Sequence, residues 1–300
     1  LGDLRDYESV WRDPLLVSFD GYTLHLMPPP SSGGLVIQQI LEMIQYMAGA
    51  DRSSINPNQH AEADNSSINP NQKTGAGLGY LGFNDAKTVH LLSEAMRRAF
   101  ADRNYYLGDP DFTEIPAGLT ADGYLRGRAA SFRPERATPS DSIAHGDPAA
   151  FLESGETTHF SVIDRDGAAV AVTTTLNGSF GSGVTISGAG FLMNNEMDDF
   201  SAKPGVPNMF GLVGADANAV APGKRMLSSM TPVVVTSGDR VVMATGAAGG
   251  PRIITAVLQQ FLNVALFDMN PVQSVFAPRV HHQWLPDVLY AEPFALSPDT

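Results

Sequence analysis

Strands and helices are signalled in blocks in this sequence, not in strict βαβ alternation, and that order narrows the available folds more than any other feature. Thr158 to Asp164 alternates apolar and polar residues, Arg165-Asp166-Gly167 makes a turn, and Ala169 to Leu176 alternates again. This pattern predicts a β-hairpin. Val233-Val234-Val235, the turn residues Ser237-Gly238-Asp239, and Val241-Val242-Met243 predict a second. A helix is expected behind Gly249-Gly250, with Pro251 at its first position. Its buried face is Ile253, Ile254, Val257, Leu258, Phe261 and Leu262, at helical spacing. Such blocks favour layered sheets flanked by helices, an α+β arrangement.

The first half of the chain reads differently. Residues 1–34 mix acidic, aromatic and turn residues and end in Pro28-Pro29-Pro30-Ser31-Ser32-Gly33-Gly34. The prolines fix φ and exclude helix, and the Ser-Gly pairs release the chain. Val36, Ile37, Ile40, Leu41, Ile44 and Met47 then mark one face of a helix. A second helix is predicted from about Asp85 to Arg103, capped by Asn84, with Val89, Leu92, Met96 and Ala99 inward. Between them Ser53-Ser54-Ile55-Asn56-Pro57-Asn58-Gln59 recurs identically as residues 66–72. Two copies are too few for a solenoid, so this reads as a duplication in an exposed loop without a catalytic role. Asn65-Ser66-Ser67 fits a glycosylation acceptor, a triplet common by chance. Residues 108–156 are polar and loop-like, and the composition shifts sharply at Thr157.

Composition excludes several classes of function. A chain of 300 residues that is 43% hydrophobic can bury a sizeable core. It has no cysteine, which rules out disulfides, thiolate nucleophiles and thiolate-ligated metals. With 19 basic and 32 acidic residues the net charge is -13, a surface that repels phosphate backbones, so nucleic acid is not an expected partner. No run of about 20 apolar residues is present to span a membrane. The sequence starts at Leu1 without an initiator Met or signal-like segment, which reads as a fragment whose targeting peptide lies elsewhere.

Four segments carry residues suited to chemistry, each with a plainer alternative. Thr157-Thr158 sits where loop gives way to strand. A threonine hydroxyl becomes a nucleophile when its own free α-amine acts as base, which requires cleavage just before it. Threonine is equally a common strand residue. Asn194-Asn195-Glu196-Met197-Asp198-Asp199 crowds carboxylates and amides that suit an ammonium group, or forms a solvated loop. Ser228-Ser229 within Lys224 to Pro232 suits a carboxylate, or is a serine-rich turn before a strand. Gly246-Ala247-Ala248-Gly249-Gly250-Pro251 leaves backbone N–H groups free at a helix start, as an oxyanion hole needs, or is a tight turn. Gly181-Ser182-Gly183 lacks the spacing of a nucleophile elbow. His281 and His282 are neighbours whose side chains diverge, so they read as structural histidines and not as a shared metal site.

Taken in order, these segments resemble the γ-glutamyltranspeptidase family of N-terminal-nucleophile hydrolases. Thr157-Thr158-His159-Phe160-Ser161-Val162-Ile163-Asp164 resembles the start of that family's small subunit. Residues 194–200, Leu227-Ser228-Ser229-Met230 and the Gly249-Gly250 turn resemble its other small-subunit motifs. Met27 to Gly34 and Tyr106 to Phe112 resemble the second half of its large subunit, and residues 278–287 a stretch near the small subunit's end.

The resemblance implies a four-layer αββα sandwich, truncated here at both ends, with 1–156 and 157–300 as two pieces of one precursor. Cleavage falls between Glu156 and Thr157. Thr157 is then the nucleophile, Thr175 positions its hydroxyl, and Gly249 and Gly250 hold the oxyanion. Asn177, Glu196 and Asp199 take the α-amino end of a γ-glutamyl group, and Ser228 and Ser229 its α-carboxylate. No cofactor is implied. The implied partners are a γ-glutamyl donor such as glutathione and an acceptor, either water or an amino acid or peptide. A same-fold acylase of poly-γ-glutamate or β-lactam side chains, and a fragment that does not mature, are the alternatives. Periplasmic or secreted placement follows from the resemblance alone. It also implies a carboxylate-binding arginine ahead of residue 1 and further strands and helices beyond Thr300. Phe210 stands where some members carry a lid tyrosine.

Overall fold

The computed structural model describes residues 2–49, 78–79, 81–144, 157–298 and 300. The duplicated segment, the Asn65 triplet and Glu156 lie outside the described residues. Behind a short helix α1 (Gly2–Asp6), the first hairpin comes from a stretch to which the sequence reading assigned no strands. Strands β1 (Leu15–Phe19) and β2 (Tyr22–Leu26) join through Asp20-Gly21, at φ 48° and 81°. Asp-Gly between alternating apolar residues is the strongest short-range signal for such a turn. Val17, Phe19, Leu24 and Leu26 point inward at period two.

β2 pairs antiparallel with β5 (Val233–Ser237), which pairs with β6 (Arg240–Thr245), giving the order β1-β2-β5-β6. Strands from the first 26 residues and strands beyond 232 therefore share one sheet. Helices α2 (Gly33–Met47) and α5 (Arg252–Ala265) bury their apolar stripes in one core with it, as their spacing predicts. Phe261 of α5 meets Phe19 and Tyr22 edge-on, at 5.7 and 5.9 Å between ring centres. Close approach at the start of α2 depends on glycine. A Cβ on Gly33 would lie 1.9 Å from Thr231 Oγ1, and one on Gly34 2.3 Å from the Met27 carbonyl.

Helix α3 (Ala86–Tyr106) packs on α2 and corrects the expected boundary at both ends. Its cap is Asp85, whose carboxylate accepts from Thr88 N at 2.7 Å, and not Asn84. Asn84 sits outside the helix at φ 52° and donates its side-chain amide to the Pro278 carbonyl. Short helices α4 (Asp122–Ala129) and α6 (Pro271–Phe276) and strands β7 (Val280–His281) and β8 (Tyr290–Ala291) complete this side.

The hairpin expected after Thr157 forms as β3 (Thr158–Ile163) and β4 (Ala169–Thr174), paired from Thr158↔Thr174 to Ile163↔Ala169. It lies against β5 and β6, where the His159 ring fills the space a Cβ on Gly246 would need. Helices, four-stranded sheet and hairpin make three successive layers. The far side of the hairpin exposes about half of Phe160, Val162 and Val170.

Buried charge holds α3 to its surroundings. The Glu94 carboxylate, fully buried, takes Arg97, Arg98 at 2.6 Å, and the amide and hydroxyl of Thr138 at 2.9 and 2.6 Å. These partners outweigh the burial penalty and hold its pKa below the usual value. Arg97 continues to Asp287, and Trp284 donates its indole N–H to the carbonyls of Ser140 and Ile143. Removing the shared carboxylate would leave buried Arg98 without its ion-pair partner and Arg97 with Asp287 alone. Glu94→Ala is expected to lower unfolding free energy by about 3–5 kcal/mol. Urea denaturation measures it, and a loss below about 1 kcal/mol would show that the network does not hold the helix.

Candidate active site

The segment Pro28–Ser32, which turns at Pro29-Pro30 with Ser31 N donating to Pro28 O at 3.1 Å, is a template for Ser228 and Ser229. Ser31 and Ser228 form a parallel bridge. Within it Ser32 N donates to Ser228 O at 2.8 Å and Ser228 N donates to Pro30 O at 2.9 Å. The Ser32 hydroxyl donates to the same Ser228 carbonyl, and the Ser31 hydroxyl to Met230 O at 2.7 Å. Four hydrogen bonds thus fix the backbone of residues 228–230 from outside its own strand.

A small cavity opens beside this segment. It is lined by Thr157, Thr175, Asn177, Glu196, Asp199, Phe210, Ser228, Ser229, Met230, Gly250 and Ile253. Eight of the ten residues singled out in the sequence meet there. Gly249 is adjacent in the chain but outside the lining, and Glu156 is outside the described residues.

Local sequence explains how each side chain arrives. Thr157 precedes β3 and Thr175 follows β4, so hairpin pairing brings two threonines 18 positions apart to one end. Thr175 Oγ1 accepts from Asn177 N at 2.8 Å. Asn177 takes φ 73°, a left-handed conformation that asparagine tolerates better than most residues. Asn195 crosses to this loop, its side-chain oxygen accepting from Gly178 N at 2.8 Å and its N–H donating to Leu176 O. That crosslink carries the 3-10 turn Glu196–Asp199 to the cavity, where Glu196 is buried and Asp199 half-buried. Burial raises the pKa of both carboxyls. Asp199 is pushed up to about 7, with the Arg103 cation opposing the rise and Glu196 and Asp198 adding to it.

Gly249 and Gly250 take φ 121° and 55° as the chain enters α5, which starts at Arg252, with Pro251 at the cap position and not yet in the helix. Their carbonyls accept from Arg252 N and Ile253 N, both at 3.1 Å. Their amides lie two and one residues before the Pro251 cap, near the positive end of the helix dipole, which favours negative charge. Phe210 covers this turn, since a Cβ on Gly250 would lie 2.7 Å from Phe210 Cδ1. The Phe210 backbone is held at both ends, its N–H by Asn208 Oδ1 and its carbonyl by Gln283 Nε2, each at 3.0 Å.

One residue at the site escaped the sequence reading. Arg103 of α3 is buried behind Ser229, donating from Nη2 to Ser229 Oγ at 3.1 Å and from Nε to Ser32 Oγ at 3.0 Å. Burial brings its pKa down to about 10, with Asp199 opposing the fall. The signal was its register. Arg103 falls four and seven residues after Ala99 and Met96, on the inward stripe of the predicted helix.

His281 and His282 turn to different partners. His281 lies between Thr255 Oγ1 and Gln283 Oε1 at 2.8 and 2.9 Å, and His282 faces Asp287 at 3.2 Å. Burial lowers their pKa values to about 3 and about 4, so both are neutral.

All 300 residues match the sequence model of the family described as Gamma-glutamyltranspeptidase. A glutathione hydrolase proenzyme of Pseudomonas aeruginosa is 45% identical over 295 residues, which is 98% of this chain and 47% of that protein. One from Escherichia coli is 44% identical over 299 residues, 99% of this chain and 46% of that protein. The crystal structure of a cephalosporin acylase from Bacillus halodurans superposes with a TM-score of 0.67 at 25% identity, covering 93% of this chain and 42% of its own. The chain thus spans about half the length of the curated relatives it matches. Matched along its whole length and carrying the ordered motifs on one cavity, the chain belongs to the γ-glutamyltranspeptidase family.

Proposed function

We propose that this chain is the catalytic portion of an autoprocessing γ-glutamyl transferase and hydrolase. The observation that carries the reading is the convergence of Thr157, Thr175, Asn177, Glu196, Asp199, Ser228, Ser229 and Gly250 on one cavity. A γ-glutamyl donor is zwitterionic at its α-carbon. It needs acceptors for an ammonium and donors for a carboxylate, next to a nucleophile and an oxyanion site. The cavity offers all four from separate segments.

In the first reaction the Thr157 hydroxyl attacks the Glu156 carbonyl carbon. The peptide bond becomes an ester as the acyl group passes from nitrogen to oxygen. Water then hydrolyses the ester, leaving a Glu156 carboxylate and a free Thr157 amine. The products are 1–156 and 157–300, which remain joined through the β2–β5 ladder and the Ser31–Ser228 bridge.

In the second reaction the Thr157 amine takes the proton of its own hydroxyl, whose oxygen attacks the donor's γ-carbonyl. Thr175 positions that hydroxyl. The N–H groups of Gly249 and Gly250 hold the oxyanion, and one such donor is typically worth about 3–4 kcal/mol. The proton passes to the leaving amine, a γ-glutamyl ester remains on Thr157, and water or an acceptor amine releases it. Glutathione, the substrate in the relatives' names, fits this scheme. Glu196 and Asp199, placed for an α-ammonium, favour it over an acyl chain without one.

The full-length protein tests the nucleophile. Thr157→Ala is expected to stay in one piece by intact mass, while the parent divides before residue 157. Cleavage of the variant at that bond would remove Thr157 from the mechanism.

Asp199 sets a pH dependence. With a pKa of about 7 it is protonated in more acidic solution and loses its charge for the donor's ammonium. The Thr157 amine must also be neutral to act as base, with an ordinary pKa of about 7.7–8.0. Log kcat/KM for a γ-glutamyl anilide should therefore fall with a slope approaching two below pH of about 7. For a glutaryl anilide, which lacks the α-amine, the slope should be one. Equal slopes for the two donors would show that Asp199 does not pair with the amine.

A further inference from the structure

Arg103 is placed as no other cation in the described part of the protein. It is 4% exposed, and among the described residues it donates to neutral groups: Ser32 Oγ, Ser229 Oγ, and the side-chain oxygen of Asn104 at 3.0 Å. The other buried arginines of α3 behave differently, Arg97 and Arg98 both pairing directly with Glu94. A second donor, Asn104 Nδ2, is buried nearby without an acceptor among the described residues. Asp199 lines a small cavity with Arg103 and Asn104 but forms no direct ion pair with Arg103 among the described residues, and buried charge is costly without a close counter-charge.

The hydrogen bonds also fix the direction of the Ser229 hydroxyl. Its oxygen accepts from Arg103, which can only donate, so the hydroxyl proton is left for another partner. Ser229 lines the active cavity, and Asp199 lines it too while sensing the Arg103 charge. Arg103 and Asp199 therefore set positive and negative ends to the site in the sense that a donor's carboxylate and ammonium require.

We propose that Arg103 is a positioning residue for the donor's α-carboxylate, acting through Ser229. Its guanidinium aims the Ser229 hydroxyl proton into the cavity and lends that hydrogen bond its charge. This rests on the γ-glutamyl reading above. It makes Arg103 a contributor to the preference for a carboxylate over a neutral amide at that end, beside the upstream arginine that the family resemblance implies.

The test compares γ-glutamyl 4-nitroanilide with its α-carboxamide analogue on the full-length protein, with rates normalised to the cleaved fraction. If the parent turns over neither donor, the functional reading fails and not this inference alone. Given turnover, Arg103→Met should raise KM more than it lowers kcat for the carboxylate donor. It should also reduce the carboxylate-to-carboxamide ratio of kcat/KM by about tenfold or more, the range of one charge-assisted hydrogen bond. Arg103→Lys should restore part of that ratio. In a Ser229→Ala background, Arg103→Met should change the ratio by less than about twofold, as coupled residues do.

A ratio unchanged in both Arg103 variants, with the two donors losing equally, would make Arg103 merely structural and overturn the proposal. A full tenfold effect in the Ser229→Ala background would overturn the route through Ser229. If Arg103→Met does not fold, Arg103→Lys and Ser229→Ala carry the test, since both must lower the same ratio.

Discussion

The parallel bridge between Ser31 and Ser228 is the contact on which the active cavity depends. A serine pair in a loop has no defined direction of its own. Here the backbone around Ser228 is spoken for on both sides, by Pro30 and Ser32, before any substrate is present. Preorganisation of this kind is what lets neutral hydroxyls act as binding groups, because the cost of ordering them is met during folding. The proline run performs the ordering, and the glycines behind it let α2 press against Thr231 and the Met27 carbonyl.

Chain topology gives that contact wider consequence. The central sheet takes two strands from the first 26 residues and two from beyond residue 232, so its middle ladder, β2 on β5, joins distant parts of the sequence. The hairpin carrying Thr157 and Thr175 lies against β5 and β6 and inherits its position from them. Non-local pairings of this sort are slow to form. A cut between Glu156 and Thr157 in the proposed maturation would then come after assembly, because the nucleophile's surroundings come from both sides of the cut.

Legibility followed apolar period. The stripes of α2 and α5 and the two hairpins after Thr157 were visible because apolar residues recur at the right period and the turns are short, although the face that β3 turns to the sheet carries His159 while Phe160 and Val162 point outward. β1 and β2 were missed although Asp20-Gly21 sits between alternating runs, because the acidic and aromatic residues around them masked the period. The cap of α3 fell one residue away from expectation, as Asn84 and Asp85 are both good caps and only the tertiary contact with Pro278 decides between them. Arg103 was overlooked for a different reason. A charged residue on an inward stripe looks like an exception to burial until its partners, Ser32 and Ser229, arrive from 71 and 126 residues away. Of the site, the segments were visible as candidates, but their meeting on one cavity was carried by the family resemblance and not by spacing.

Phe210 closes over the Gly249-Gly250 turn with a ring that has no hydroxyl, so its side chain adds apolar contact while its backbone is fixed by Asn208 and Gln283. The ring therefore stands as a fixed wall on the glycine turn, and any side chain at position 250 would have to displace it.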